Sequence, residues 1–474
     1  MNKTVSLTGH ASAEQALTYL HLPFDVPAQT RWIVVRYRYS DPIGSDPWLT
    51  GGNTVDLGLV DARGAAFCEM GLRGWSGSAR SEVFVGEQAA TPGYASGALD
   101  AGTWHVILGL YKIAPQGCDY TVEITLSNEA GLPPAHHGAV MLPAAARLSL
   151  DAPASCAPTH AGGWYRGELH CHSQHSDGEA SVEDIILAAL ALNLDFLAIT
   201  DHNDLTHHAR MAAYVAANHP PITLIPGCEM TTYHGHWNAW GIDDWVEFRI
   251  VTEMQMQLAM REARRRGAIV SCNHPRTYGP PWEFASVTDF DCLEVWNGPW
   301  MLNNWEALDV WEQLLRQGRR ITAVGGSDMH RLHQIDGTVA RLAHPITWIH
   351  TPDAPSPRAL LNALKAGHCA LSEAPDGPRV FLQAGGAQSG DAIERRIDTC
   401  AVVTVAGGAG LQCVVRGAAG ERFCAAVTHE MQTFTLHLDC SDEMFLWAQL
   451  RSPDALGGQP VIHAMTNPIY MHQK

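Results

Sequence analysis

The sequence predicts an α/β chain: a central region of alternating strands and helices, with a β-sandwich before it and a smaller β domain after it. Three features carry this expectation. Up to about residue 150, short runs rich in Val, Ile, Tyr and Thr alternate with turn-forming stretches. From Trp164 onward, strand and helix patterns follow one another in turn. From about residue 376 the pattern returns to short strands.

In the first region TRWIVVRYRY, NTVDLGLVD, TWHVILGLYKI and DYTVEITL read as strands, and SDPIGSDP and IAPQG as turns. No amphipathic helix longer than one or two turns is evident, so a β-sandwich over residues 1–150 is the simplest architecture. Residues 151–163, DAPASCAPTHAGG, are small, polar and Pro/Gly-containing and read as a linker. In the central region, 164–374, GELHCH, DFLAIT, ITLIPGCEMTT, HWNAWGI, AIVSCNHP, CLEVWNG and ITAVGGSDMH are strand candidates. SVEDIILAALALN has helical spacing, with Ser181 as N-cap and Asp184 three residues on. LTHHARMAAYVAANH, MQMQLAMREARRRG, NNWEALDVWEQLLRQG and PSPRALLNALKAG are further helices. Residues 375–474 read as a smaller β domain.

Composition bounds the function. The 474 residues carry a formal charge of −18, which argues against a duplex nucleic-acid partner, since such proteins need a basic patch. Twelve cysteines lie singly, with no CxxC pair, so a zinc ribbon or thioredoxin-type site is not expected. The N-terminus lacks the apolar core of a signal peptide, and no run is long and apolar enough to span a membrane. A cytoplasmic protein with reduced thiols is the expectation. The two glycine-rich runs AGGAQSG and AGGAGL do not sit in a strand–turn–helix unit and are not nucleotide loops.

The informative bias is histidine: there are 25, concentrated beside Asp and Glu in the middle of the chain. His is the commonest metal ligand among side chains. His170 and His172 stand at i and i+2 on a strand, which turns both imidazoles to one face. Such a pair alone arises by chance in a His-rich chain, but its context is unusual. Asp177 follows in a loop. Asp201 and His202 end the run FLAIT, although alone they would read as a helix cap beside a surface His. Glu229 lies among apolar residues, where a glutamate is rare unless paired or metal-bound. A carboxylate can bridge two cations. His236 follows, with His234 the competing choice. His274 ends a strand stopped by Pro275, and Asp328 and His330 end another at i and i+2. Barrel sites form where side chains from separate strand ends converge. Mixed His and carboxylate donors suit Mn, Fe or Zn rather than Ca or Mg.

The segments HCHSQHSDG, TDHN, GCEMTT, NHP and GSDMH resemble the successive motifs of the polymerase-and-histidinol-phosphatase (PHP) superfamily of metallohydrolases. EMTTYHGHWNAWGI, EVWNG and TNPIYM resemble its CehA/McbA-like branch. The resemblance covers about residues 160–374 and implies a distorted (β/α)7 barrel with two or three divalent metals. It implies that His170, His172, Glu229 and Asp328 hold one cation, that Glu229 with His236 and His274 holds a second, and that Asp177, His202 and His330 hold a third.

The chemistry expected is hydrolysis by a water shared between two cations, with no side-chain nucleophile. Cys171 faces away from the ligands and reads as a packed thiol. Asp201, Asn203 and Glu294 are candidates to orient imidazoles. His175 and His207 are candidates to donate a proton to a leaving group, the alternative being surface histidines. Substrate contacts are expected from Arg276, Tyr278 and Trp282, which follow His274, and from Arg331. Arg can clamp a phosphate, although Arg276 also reads as a solvated loop charge. The substrate is expected to be a small-molecule ester: a phosphoester first, a carboxylic or carbamic ester second. A metal-binding scaffold without activity is the alternative of another class. The flanking β regions leave room for a homo-oligomer.

Overall fold

A computed structural model describes residues 2–69, 71–130, 147–152, 163–333, 340–352, 355–456 and 458–473, with side chains omitted at 454–456. The proposed linker at 151–163 falls almost wholly outside the described residues.

The N-terminal strands are β1 (Asn2–Ala11), β2 (Tyr19–Val26), β3 (Trp32–Tyr39), β4 (Thr54–Val60), β5 (Leu72–Gly77), β6 (Glu82–Gly86), β7 (Gly102–Lys112) and β8 (Cys118–Ser127). They form two antiparallel four-stranded sheets, ordered β1-β8-β3-β6 and β2-β7-β4-β5. Ile33, Val35, Val122 and Ile124 of the first sheet share one buried cluster with Leu57, Leu59, Val106 and Leu108 of the second. Burying apolar side chains from two facing sheets is what stabilises a sandwich. β1 escapes the sequence pattern because it is largely solvated and polar, NKTVSLTGHA.

The central region runs β9 (Trp164–Glu168), α1 (Val182–Ala191), β10 (Phe196–Ile199), α2 (His207–Asn218), β11 (Thr223–Thr232), β12 (Gly235–Trp240), α3 (Glu253–Arg265), β13 (Ile269–Cys272), β14 (Cys292–Asn297), α4 (Asn304–Arg316), β15 (Thr322–Gly326), β16 (Ile346–His350), α5 (Pro357–Lys365) and β17 (Cys369–Ser372). Ser181 caps α1 by accepting the Asp184 N–H at 3.1 Å, as its spacing predicts. β9 to β15 are neighbours in sequence order within a 15-stranded sheet. The segment after β15 returns to the segment after β9. There Asp328 N donates to the His170 carbonyl at 2.8 Å, and His172 N to the Met329 carbonyl at 2.9 Å. The ends of the first and last of these strands are thus joined, which gathers the residues at their carboxyl ends around one pocket.

The chain is a mixed α/β protein dominated by strands, and strict β/α alternation does not hold. β12 folds back antiparallel on β11 through a tight turn and pairs antiparallel with β13, with no helix between β11 and β12. No helix separates β13 from β14 either. The same sheet continues past the central region: β17 pairs with Gln459–Thr466, so the C-terminal strands hydrogen-bond directly to the central ones. Among the described residues no helix is long and apolar enough to cross a membrane.

Candidate metal centre

Beneath the pocket, Trp240 Nε1 donates to the Leu169 carbonyl at 2.9 Å, and both residues are buried. Just above them Glu168 accepts four backbone N–H groups, from Leu169, His170, Ser327 and Ala343, at 2.7–3.0 Å. This carboxylate, which the sequence reading passed over, ties the start of the HxH segment to the end of β15. His170 and His172 lie past the end of β9, in an extended stretch held by the bridge between Cys171 and Met329. Their rings share a face, with centroids 5.2 Å apart, while the Cys171 thiol is buried and directed to the Ala198 carbonyl.

Three overlapping groups of donor atoms meet here, each within 4.8 Å of one another: His170, His172, Glu229 and Asp328; Glu229, His236 and His274; and His172, Asp177, His202 and His330. Glu229 is central. Its Oε1 lies 3.4 Å from His170 Nε2, 3.3 Å from His236 Nδ1 and 3.4 Å from His274 Nε2. Its Oε2 lies 3.6 Å from His172 Nε2 and 2.8 Å from His202 Nδ1. Asp328 Oδ1 is 3.0 Å from His172 Nε2 and 3.4 Å from His170 Nε2. Asp177 Oδ1 is 3.4 Å from His202 Nε2 and 3.3 Å from His330 Nε2. All nine residues singled out in the sequence are therefore brought together. Of the two competing histidines, His236 faces Glu229, whereas His234 pairs with Glu283 at 2.7 Å. The pocket opens on one side: Asp177 and His330 side chains are 44% and 33% exposed, against 0–1% for His170, His172 and Glu229.

The electrostatics fit bound cations. Burial opposes charge on Glu229 and Asp328, but the surrounding imidazoles outweigh it and hold both carboxyls well below the usual range. Burial, with His330 and His202 nearby, lowers His172 to about 4 and keeps it neutral, as a ligand must be. Burial also opposes charge on His330, but Asp177 lifts it to about 10, so this imidazole carries a proton that a bound cation would displace. Among the described residues His170 Nε2 and Glu229 Oε2 are buried without a hydrogen-bond partner, although both point into the cluster. Unpaired buried polar atoms are costly, and divalent cations would satisfy them. His274 and Asp328 hold φ at 29° and 52°, a left-handed conformation that costs on the order of 1–3 kcal/mol for such residues and concentrates at functional sites.

The supporting residues are well defined. His170 Nδ1 donates to Glu294 Oε1 at 2.7 Å. Glu294 Oε2 accepts Asn297 Nδ2 at 3.0 Å and His274 N at 3.2 Å. Asn273 Nδ2 donates to Glu229 Oε1 at 2.9 Å. Asn203 pairs with the Thr231 backbone in both directions, joining the end of β10 to β11. Asn273 and Asn297 were missed in the sequence, although each sits inside a motif, NHP and EVWNG.

Several expectations need correction. Asp201 and His207 do not reach the cluster. Asp201 accepts Ser173 N, Ser173 Oγ and Ser176 Oγ at 2.6–2.7 Å, which fixes the loop carrying Asp177. His207 is fully buried, donates from Nε2 to the Ile199 carbonyl at 3.0 Å and lies between Asp201 and Asp204, so it cannot serve a leaving group. His175 is also buried, against Thr206. Arg276 is neither a solvated charge nor a free clamp. Its guanidinium donates to the Asn297 carbonyl, Asn297 Oδ1, Asn304 Oδ1 and the Tyr278 carbonyl. Trp282 donates to the Phe284 carbonyl and packs edge-on against Phe284 and Phe290. Arg331 pairs with Glu179 on the rim, and the Tyr278 side chain is exposed.

Residues 168–279 match the PHP domain. The chain carries a PHP domain. The match spans seven of the nine clustered residues, from His170 to His274, and leaves Asp328 and His330 outside it. An error-prone DNA polymerase of Cutibacterium acnes is 42% identical over 66 residues, 14% of this chain and 6% of the polymerase. A 5'-3' exoribonuclease of Haemophilus influenzae is 33% identical over 103 residues, 20% of this chain and 36% of the exoribonuclease. The matched stretches span about a third or less of these relatives. A two-domain protein of Bacteroides vulgatus containing a predicted PHP-like metal-dependent phosphoesterase shares 17% identity at a TM-score of 0.39, over 67% of this chain and 98% of that one.

Proposed function

We propose that the chain is a metal-dependent hydrolase with phosphoesterase activity on a small metabolite. The observation that carries this is the convergence of nine His, Asp and Glu side chains in one pocket, five of the histidines around Glu229, with His170 Nε2 and Glu229 Oε2 left without a hydrogen-bond partner among the described residues. His170, His172, Glu229 and Asp328 hold one cation, Glu229, His236 and His274 a second, and Asp177, His202 and His330 a third. Mn, Fe or Zn fits this donor set. Bound cations supply Lewis acidity and an activated water near neutral pH. The residues do the rest: Glu294 fixes the His170 ring, Asn273 and Asn297 fix the carboxylates, and the buried floor excludes bulk water. The Asp177–His330 edge is the route by which substrate arrives. An exoribonuclease hydrolyses phosphodiesters, and its resemblance to this segment supports the phosphoester reading.

A second reading, hydrolysis of a carboxylic or carbamic ester, draws on one observation. The two arginines nearest the ligands in sequence are occupied, Arg276 by Asn297 and Asn304 and Arg331 by Glu179. The CehA/McbA-like phrases favour it too. The eleven described cysteines are all free, which supports a cytoplasmic setting. A hydrolysis screen of the metal-loaded protein with phosphomonoesters, phosphodiesters, and aryl carboxylate and carbamate esters tests both readings. Turnover of a phosphoester well above the other classes is expected. Turnover confined to carboxyl or carbamate esters establishes the second reading, and none at all with full metal loading rejects both.

A further inference from the structure

The N-terminal sandwich touches two segments beside the metal centre, one that carries Asp177 and one that leads to His236. Arg80, in the turn between β5 and β6, donates from Nη1 to the Ser176 carbonyl at 2.9 Å and from Nη2 to the Gln174 carbonyl. Asp177 is the next residue. Gly93 N donates to Thr206 Oγ1 at 3.2 Å and lies 3.4 Å from His175 Nδ1. Gly93 has φ 88°, and a Cβ there would sit 2.3 Å from the His175 carbonyl oxygen, so only glycine lets the sandwich approach this loop. At the second place, Tyr233 Oη donates to Asp56 Oδ2 of β4 at 2.6 Å, and Tyr19 and Tyr111 stack on the Tyr233 ring at 5.1 and 5.4 Å. A Cβ on Gly109 of β7 would lie 2.0 Å from the same hydroxyl. Tyr233 opens the turn that leads to His236.

The loop 173–178 is thus held from two sides. Asp201 grips its inner face through Ser173 and Ser176, and Arg80 grips its outer face through two carbonyls. Asp177 is the most exposed proposed ligand, so little packing of its own fixes it, and its place depends on the loop backbone. Arg80 makes no ion pair among the described residues, so its hydrogen bonds to this loop are its main engagement. We infer that the N-terminal β-sandwich is a working part of the metal centre, with Arg80 a positioning residue for the cation held by Asp177, His202 and His330. This rests on the metal-site reading above.

The test is a Mn2+ titration of the full chain after chelation, following free Mn2+ by its electron paramagnetic resonance. It compares wild type, Arg80→Ala, Arg80→Lys, Gly93→Ala and Asp177→Ala. Asp177→Ala defines the binding class that belongs to the outer cation. Arg80→Ala is expected to weaken that class by roughly tenfold or more, the scale of a lost supporting contact, and to leave the Glu229-centred classes unchanged. Arg80→Lys keeps the charge but not the fork, and is expected to fall between. Gly93→Ala pushes on the loop from the other side and is expected to give the same selective loss, which covers an Arg80→Ala protein recovered unfolded. Unchanged Mn2+ binding in Arg80→Ala overturns the inference, whether or not its Tm falls, and so does an equal loss of every class in folded protein. Wild type that binds no Mn2+ rejects the metal reading itself, a separate result.

Discussion

His170 presents its two ring nitrogens to two carboxylates: Nδ1 is 2.7 Å from Glu294 Oε1, and Nε2 is 3.4 Å from Glu229 Oε1. The first contact sets the tautomer and ring plane, so that the second nitrogen offers its lone pair to the pocket. Partners of this kind are worth about 10–100-fold in metal affinity. Glu294→Gln is therefore expected to weaken the tightest cation by about that factor, measured by competition with a chelating dye. An affinity equal to wild type would show that Glu294 is only a packed carboxylate.

Arg276 binds Asn297, and Asn297 in turn donates to Glu294 and Asp328. Arg276→Ala strips buried partners from Asn297 and Asn304, at a cost of about 1–3 kcal/mol for each group left unsatisfied. The expected result is a lower Tm and a lower kcat with little change in KM. A large rise in KM for a phosphoester, with kcat preserved, would return Arg276 to the role of a substrate clamp.

Asp56 gives the contact between sandwich and central region a pH dependence. Burial pushes its pKa up from 3.8 to about 7; the Tyr233 hydrogen bond lowers it, Asp177 raises it and His202 lowers it. The folded protein thus keeps a proton that the unfolded chain has released between about pH 4 and 7. Stability contributed by the neutral carboxyl is full below the unfolded pKa and is lost as pH rises through the folded one. At ~1.4 kcal/mol per unit, the effect is bounded at roughly 4 kcal/mol. Asp56→Asn should flatten the fall in Tm between pH 4 and 7 relative to wild type. Parallel Tm curves for the two proteins would rule this out.

The ligands were legible because coordination needs uncommon residues in uncommon places. Glu229 amid apolar neighbours, and His274 before a proline, fit poorly in a core and well around cations. Ser181 was legible for a local reason, since a cap contacts a residue three positions on. What the sequence hid depends on distant partners. Whether Arg276 is free or tied was decided by Asn297 and Asn304, and whether His207 is exposed by its burial beneath Ile199. The reversal at β12 turns on a two-residue turn that hydrophobic patterning does not reveal. The extension of the central sheet into Gln459–Thr466 depends on a pairing across about ninety residues, from β17. The dependence of the Asp177 loop on Arg80 spans a similar distance.

The most direct measurement is anomalous diffraction at the manganese edge from crystals of the Mn2+-loaded protein. The account predicts at least two peaks that share Glu229 as a ligand, one beside His170, His172 and Asp328 and one beside His236 and His274, with a third at Asp177, His202 and His330. A fully loaded crystal with no peak near Glu229, or with peaks only elsewhere on the chain, would contradict it.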